Sequence, residues 1–205
     1  MVELQEPCTR KKIIEVATKL FSKKSYKGTS VRDISALANV NIASINYHFK
    51  SKENLLFEVL KNGCRELKAQ IDSIPIQEKT TTADFCIKIF NVLLNNQNII
   101  LNNMKLLLSE EAKQMEDHGL EDEIYGPPGG AKLVEVIKQS IQKPLKNEDA
   151  TWAVQTIFSV IYHQALILSS PYTHRKEIQS IFNEKLAKKR LRRTVEMIER
   201  SLVSL

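Results

Sequence analysis

Apolar residues recur at helical spacing near the start of the chain. Ile13, Ala17, Leu20 and Phe21 form a stripe that predicts a helix from a Thr9 cap to about Lys24. Ser25 to Gly28 reads as a connection, with Gly28 expected to supply a positive φ. Ser30 followed by Asp33 has the spacing of a short capping box, which starts a second helix. Val31, Ile34, Leu37 and Ala38 are its expected apolar side. Asn39-Val40-Asn41 is a tight turn, because Asn tolerates the left-handed conformation. Asn41 then caps a third helix from Ile42 to about Lys50. At about 100° per residue, Ile42, Ile45 and Phe49 share one face of it. Ala43, Ser44, Tyr47 and His48 fall opposite, with Asn46 at the border. A helix of two turns does not stand alone, so its apolar face is expected to dock on the first two helices. Its outer face then carries small and hydrogen-bonding groups in place of the usual Glu and Lys.

The same periodicity continues. Ser51 caps a fourth helix that runs inward through Leu55, Leu56, Val59 and Leu60 to about Ile74, where Pro75 stops it. Residues 80–118 read as one or two long helices, weakened by Asn95, Asn96, Asn98, Asn102 and Asn103. Tyr125 to Gly130, with two Pro and three Gly, is the strongest loop signal. Helices are expected over about 131–142 and 148–170, and a last one from about His174 to the C-terminus. Its stripe would be Ile178, Ile181, Phe182, Leu186, Leu191, Val195, Ile198 and Leu202. The fold class is all-α. An N-terminal three-helix helix-turn-helix domain is expected over residues 1–52, and a second helical domain over 53–205.

Charge sharpens that division. Residues 1–52 hold ten Lys/Arg against four Asp/Glu, while the remainder holds twenty of each, so the whole net charge of +6 sits at the N-terminal end. A basic module on a neutral body predicts a phosphate-binding end. Lys52, at the start of the fourth helix, is placed to reach a phosphate. The outer face of the third helix suits a major groove. Ala43 and Ser44 allow close approach, and Asn46, Tyr47 and His48 reach bases or phosphates. Ile42 is expected in the core, near enough to the helix start to brush a thymine methyl. Three Cys without CxxC spacing argue against a disulfide framework. No apolar leader and no run of about 18 apolar residues is evident, so a cytoplasmic protein without membrane association is expected.

Residues 28–56, GTSVRDISALANVNIASINYHFKSKENLL, resemble the N-terminal domain of TetR-family transcriptional regulators. The resemblance is carried by Gly28-Thr29-Ser30, Ile34, Val40, Tyr47-His48-Phe49, Ser51-Lys52-Glu53 and Leu55-Leu56. Ile14, Ala17, Leu20, Phe21 and Tyr26 fall where that domain places its first-helix core. The likeness covers about residues 9–60. Asn39 and Ser25 depart from it, each standing where the family usually has Gly. The resemblance implies that Ser30 and Arg32 approach the DNA backbone or neighbouring bases. Asn41, Ala43, Ser44 and Tyr47 would face bases, and His48 and Lys52 would hold phosphates. It also implies a homodimer through the helices at 148–170 and 174–205, an inverted-repeat operator on double-stranded DNA, and a small apolar or amphipathic effector bound in the body.

Tyr162-His163-Gln164 sets polar groups in an otherwise apolar helix, and buried polar groups need partners. Phe90, Met104, Tyr125, Trp152, Phe158, Tyr162 and His163 are therefore the expected effector contacts. No motif for a nucleotide, metal or hydrolytic site appears, so neither a cofactor nor an enzyme is expected. The basic run from Lys188 to Arg193 reads as the wet face of the terminal helix, because Leu191 keeps the apolar register. Two readings follow: a ligand-responsive repressor, and an architectural or nucleoid-associated helix-turn-helix protein without an effector.

Overall fold

The computed structural model describes residues 6–107 and 127–204, all helix and connecting segments. Tyr125 and the expected continuation of helix to residue 118 lie outside the described residues. Two compact units are present. Among the described residues, one holds those up to Cys64 together with 101–107, and the other holds 65–100 and 127 onward.

The first unit contains α1 (Glu6–Lys24), α2 (Val31–Ala38), α3 (Ile42–Phe49) and the start of α4 (Lys52–Asp72). Its core joins Ile13, Ile14, Ala17, Leu20 and Phe21 of α1 to Ile34 and Ala38 of α2 and to Ile45 and Phe49 of α3. Leu55, Leu56, Val59 and Leu60 of α4 complete it. Packing of those four residues extends the unit past Lys52, to Cys64. From Leu101 onward α6 (Gln97–Leu107) also belongs to this unit, where Asn102 donates to the Ser22 hydroxyl.

The second unit contains α5 (Thr82–Asn95), α7 (Gly130–Ile141), α8 (Asn147–Leu168), a 3-10 turn (Pro171–His174), α9 (Lys176–Gln179) and α10 (Glu184–Ser204). α5 packs against α7, α8 and α10. Phe85, Phe90, Leu133, Ile137, Ile157, Phe158, Leu191 and Val195 are among the buried residues between them. The Asn-rich stretch breaks the chain at Asn96. Its side chain turns back to donate to the Val92 carbonyl at 2.8 Å and to Gln70 Oε1 at 2.9 Å, which ends α5. The end of α4 is capped from outside itself. Lys132 Nζ donates to the Ile74 carbonyl at 2.7 Å and also to the Asp72 carbonyl, which satisfies backbone acceptors that the helix leaves over.

The terminal region differs from the single helix expected from His174. The chain makes the 3-10 turn and the one-turn α9 first, and α10 begins only at Glu184. Asn183 explains the break: its Oδ1 accepts from the Leu186 N–H at 2.9 Å while its Nδ2 donates to the Gln179 carbonyl at 2.8 Å. That side chain closes one helix and opens the next. Ile181 is consequently exposed, and the buried stripe is Ala187, Leu191, Val195, Ile198 and Leu202. Leu191 holds the register expected of it, and the basic run lies outward, with Arg192 paired to Asp84 at 2.6 Å. Among the described residues no helix is long and apolar enough to cross a membrane.

Candidate nucleic-acid interface

The geometry of the α2–turn–α3 segment follows from its caps. Ser30 Oγ accepts from the Asp33 N–H at 3.1 Å, and Asp33 Oδ2 accepts from the Ser30 N–H at 2.9 Å, so the capping box is complete. These bonds, the hydroxyl of Ser30 first, hold the Asp33 carboxyl below its ordinary range. Asn39 sits in the left-handed conformation at φ 52° and ψ 51°, where Asn is tolerated. Ser35 Oγ donates to the Val40 carbonyl at 2.6 Å and ties the turn to α2. Asn41 Oδ1 accepts from the Ser44 N–H at 2.6 Å and starts α3. Each turn of backbone between the two helices is thus fixed by a side chain encoded within it.

Burial of Ile45 and Phe49 then decides what α3 shows to solvent. Asn41, Ala43, Asn46 and Tyr47 are exposed, with Tyr47 at 72%, while Ser44 and His48 are half-buried. Tyr47 and His48 meet edge to face with ring centroids 5.2 Å apart, which limits the rotation of both. Two apolar residues expected in the core join that surface. Ile42 is 40% exposed and Leu37 is 58% exposed. Ile42 stands at the first position of α3, before the helix turns its stripe inward. In α2, only eight residues long, Ile34 and Ala38 fill the inward face and leave Leu37 outside it.

Behind this face lies a second cluster. Lys52 Nζ lies 3.9 Å from the centre of the Tyr26 ring, and the Tyr26 hydroxyl donates to Glu53 Oε1 at 2.7 Å. That hydrogen bond is the main reason the Glu53 carboxyl sits below its ordinary range. Ser30 and Arg32, both exposed, lie at the start of α2, and Lys24 pairs with Asp33 at 3.8 Å. The connection before α2 depends on Gly28, though not through positive φ as expected. A Cβ there would lie 2.1 Å from the Lys24 carbonyl oxygen, so close approach of backbone is what requires glycine. It is Ser25, at φ 63°, that takes the left-handed conformation.

All eight expected DNA contacts therefore belong to the first unit, on α2, the turn, α3 and the first residue of α4. Arg10, Lys50 and Lys61 were not among them, although they surround His48; spacing along the sequence gives no hint of that grouping. The expected effector contacts are more scattered. Phe90 and Phe158 are buried in the second unit's core, and Phe158 meets Tyr162 with ring centroids 6.0 Å apart. Trp152, at 45%, and His163 are exposed, and Met104 belongs to the first unit. Of the polar trio on α8 only Gln164 is buried, with its Nε2 3.4 Å from His163 Nδ1. Burial pushes the Cys86 thiol well up, which removes the thiolate a redox sensor needs.

The chain is similar to several known proteins. The family model for bacterial regulatory proteins of the tetR family matches residues 13–59. A probable HTH-type transcriptional regulator of Bacillus subtilis, YttP, is 36% identical over 94 residues, 44% of either chain. The negative transcriptional regulator of the biofilm operon icaADBC in Staphylococcus epidermidis, IcaR, is 43% identical over 51 residues, 25% of this chain and 28% of that protein. Each match thus spans less than half of the relative's length. Among solved structures, a single-substitution variant of TetR from Acinetobacter baumannii in complex with minocycline aligns over 93% of this chain and 96% of its own, with a TM-score of 0.59 and 13% identity. The fold is shared even where the sequence is not. Residues 13–59 are thus similar to the DNA-binding domain of tetR-family bacterial regulatory proteins, on a fold common to nearly the whole length.

Proposed function

We propose that the chain is a repressor that binds an inverted-repeat operator as a homodimer and leaves it when a small apolar or amphipathic effector binds. The observation that carries the DNA-binding half is the outward face of α3. Exposed Ala43, Asn46 and Tyr47 lie over buried Ile45 and Phe49, on a helix pinned at both ends. In this reading Asn41, Ala43, Ser44 and Tyr47 face bases, Ser30 and Arg32 approach from α2, and His48 and Lys52 hold phosphates. A two-fold dimer presents two such helices, so the operator is an inverted repeat with half-sites about one helical turn, or a multiple of it, apart.

Dimerisation through α8 and the 174–205 segment is supported by apolar side chains exposed on both: Trp152 on α8, and Met197 and Val203 on α10. Repression is the activity named for IcaR, and a bound drug is named for the Acinetobacter protein. Both support the corresponding reading here. For the effector, Phe158, Tyr162 and the buried Gln164 of α8 are the preferred contacts, ahead of the exposed Trp152 and His163. The effector acts only if it binds the operator-bound and released conformations with different affinity.

The double substitution Tyr47→Ala with Lys52→Ala tests the DNA-binding half. Binding of a cognate inverted repeat is expected to be lost, and unchanged affinity would refute the assignment. Close packing of Phe90 and Phe158 favours a second reading, an architectural DNA-binding protein without an effector. A thermal-shift screen of apolar and amphipathic compounds separates the two, because a ligand of the native state raises the melting temperature.

A further inference from the structure

Arg10, His48, Phe49, Lys50, Asn54, Phe57, Glu58 and Lys61 line a concavity of about 210 Å³ in the first unit. We propose that it is a binding site for a phosphate group, held by Arg10, Lys50 and Lys61 together with His48. Three side chains that are always or almost always cationic face one carboxylate, Glu58. Arg10 is already oriented. Its guanidinium pairs with Glu58 and lies 5.3 Å from the centre of the Phe49 ring. One carboxylate does not use all five N–H donors of that fork. Lys61 lies 5.5 Å from the centre of the Phe57 ring. Among the described residues neither Lys50 nor Lys61 is paired with a carboxylate. Both line a concavity whose one carboxylate, Glu58, is paired with Arg10, and an oxyanion would balance the remaining positive charge.

Backbone conformation points the same way. Lys50 ends α3 at φ 64° and ψ −45°, a region that glycine occupies without strain and lysine does not. Its N–H donates to the Asn46 carbonyl at 2.8 Å, so the conformation is fixed by the helix end. A lysine at this position costs stability and brings a charge to the wall of the concavity. His48 connects the site to the DNA-reading face, since it lines the concavity and also packs against Tyr47.

The preferred source of the phosphate is the DNA backbone beside the half-site, which rests on the DNA-binding reading above. A free phosphate or phosphorylated small anion has the same chemistry. The test uses Lys50→Gly, which removes the charge while relieving the backbone, and Lys61→Gln, in the full chain. Affinity for random-sequence duplex DNA is measured across a salt series. In parallel, inorganic phosphate is titrated into the DNA-free protein, and backbone amide shifts of residues 48–61 are followed by NMR. For the DNA source, each variant lowers the slope of log K against log salt by about one unit. For a free anion, the slope is unchanged, but phosphate shifts saturate in the wild type and are lost in both variants. An unchanged slope together with no saturable phosphate shifts overturns the site. If the wild type itself fails to bind DNA at low salt, the DNA-binding reading falls. The phosphate titration alone then decides the site: saturable shifts support it, and their absence overturns it.

Discussion

Lys52 rests on Tyr26: the ammonium is 3.9 Å from the ring centre, and the same tyrosine donates its hydroxyl to Glu53. A residue of the α1–α2 connection thereby positions the first side chain of α4, which the DNA-binding reading assigns to a phosphate. Replacing the ring and replacing the hydroxyl have different consequences. Tyr26→Leu is expected to weaken binding of every duplex by about 0.5–1 kcal/mol, the worth of a partly solvated cation–π contact. Tyr26→Phe keeps the ring and is expected to bind DNA like the wild type. Fluorescence anisotropy on specific and random duplexes distinguishes them.

Acid is expected to lower the stability of the fold through three carboxyls, two in the first unit and one in the second. Asp33, Glu53 and Asp84 all have carboxyls held low, chiefly by hydroxyl donors: Ser30, Tyr26 and Thr81. A carboxyl depressed in the folded state stabilises it fully above the ordinary value of about 4. That contribution fades as pH falls through the lowered value. The urea midpoint should therefore be flat near neutrality and fall below about pH 4. Ser30→Ala removes the largest cause of the Asp33 depression and should lower the midpoint at pH 7 while flattening the acid-side fall.

Asn39 carries the turn in the left-handed conformation, which glycine adopts without strain. Asn39→Gly is expected to fold and bind DNA much as the wild type does. Asn39→Ala forces a Cβ into the left-handed region without a compensating side chain, and should cost about 1–2 kcal/mol. Urea denaturation of both variants checks the ordering.

Trp152 is the sole tryptophan and is 45% exposed on α8. If α8 forms the dimer interface, its emission should shift to the blue as protein concentration rises through the dimer constant found by ultracentrifugation. Dimerisation without any change in emission would exclude α8 at Trp152 from the interface.

Much of the first unit was legible in the sequence because its controls are local. Ser30 with Asp33, Asn39 and Asn41 act on backbone within a few residues of themselves, and Ile45 with Phe49 fixes the phase of α3. Where a tertiary relation decided, the sequence was silent or misleading. Leu37 and Ile42 looked like core because apolarity alone does not say which face finds a partner. Lys132 closes α4 from 58 residues away, and no pattern along the chain shows that. Asn183 lies inside an apolar stripe that predicts an unbroken helix, yet its amide interrupts it. Side-chain type alone points to the expected effector contacts on α8 and elsewhere. Exposure of Trp152 and His163, against burial of Phe90 and Phe158, reflects packing that composition does not encode.

In the proposed function α3 reads a symmetric operator. The most direct test is to select bound fragments from sheared genomic DNA with the purified protein, and then to footprint them. The selected fragments should share an inverted repeat with half-sites about one helical turn, or a multiple of it, apart, and Tyr47→Ala with Lys52→Ala should abolish the enrichment. Enrichment of fragments without an inverted repeat, or enrichment that survives the double substitution, would contradict the account.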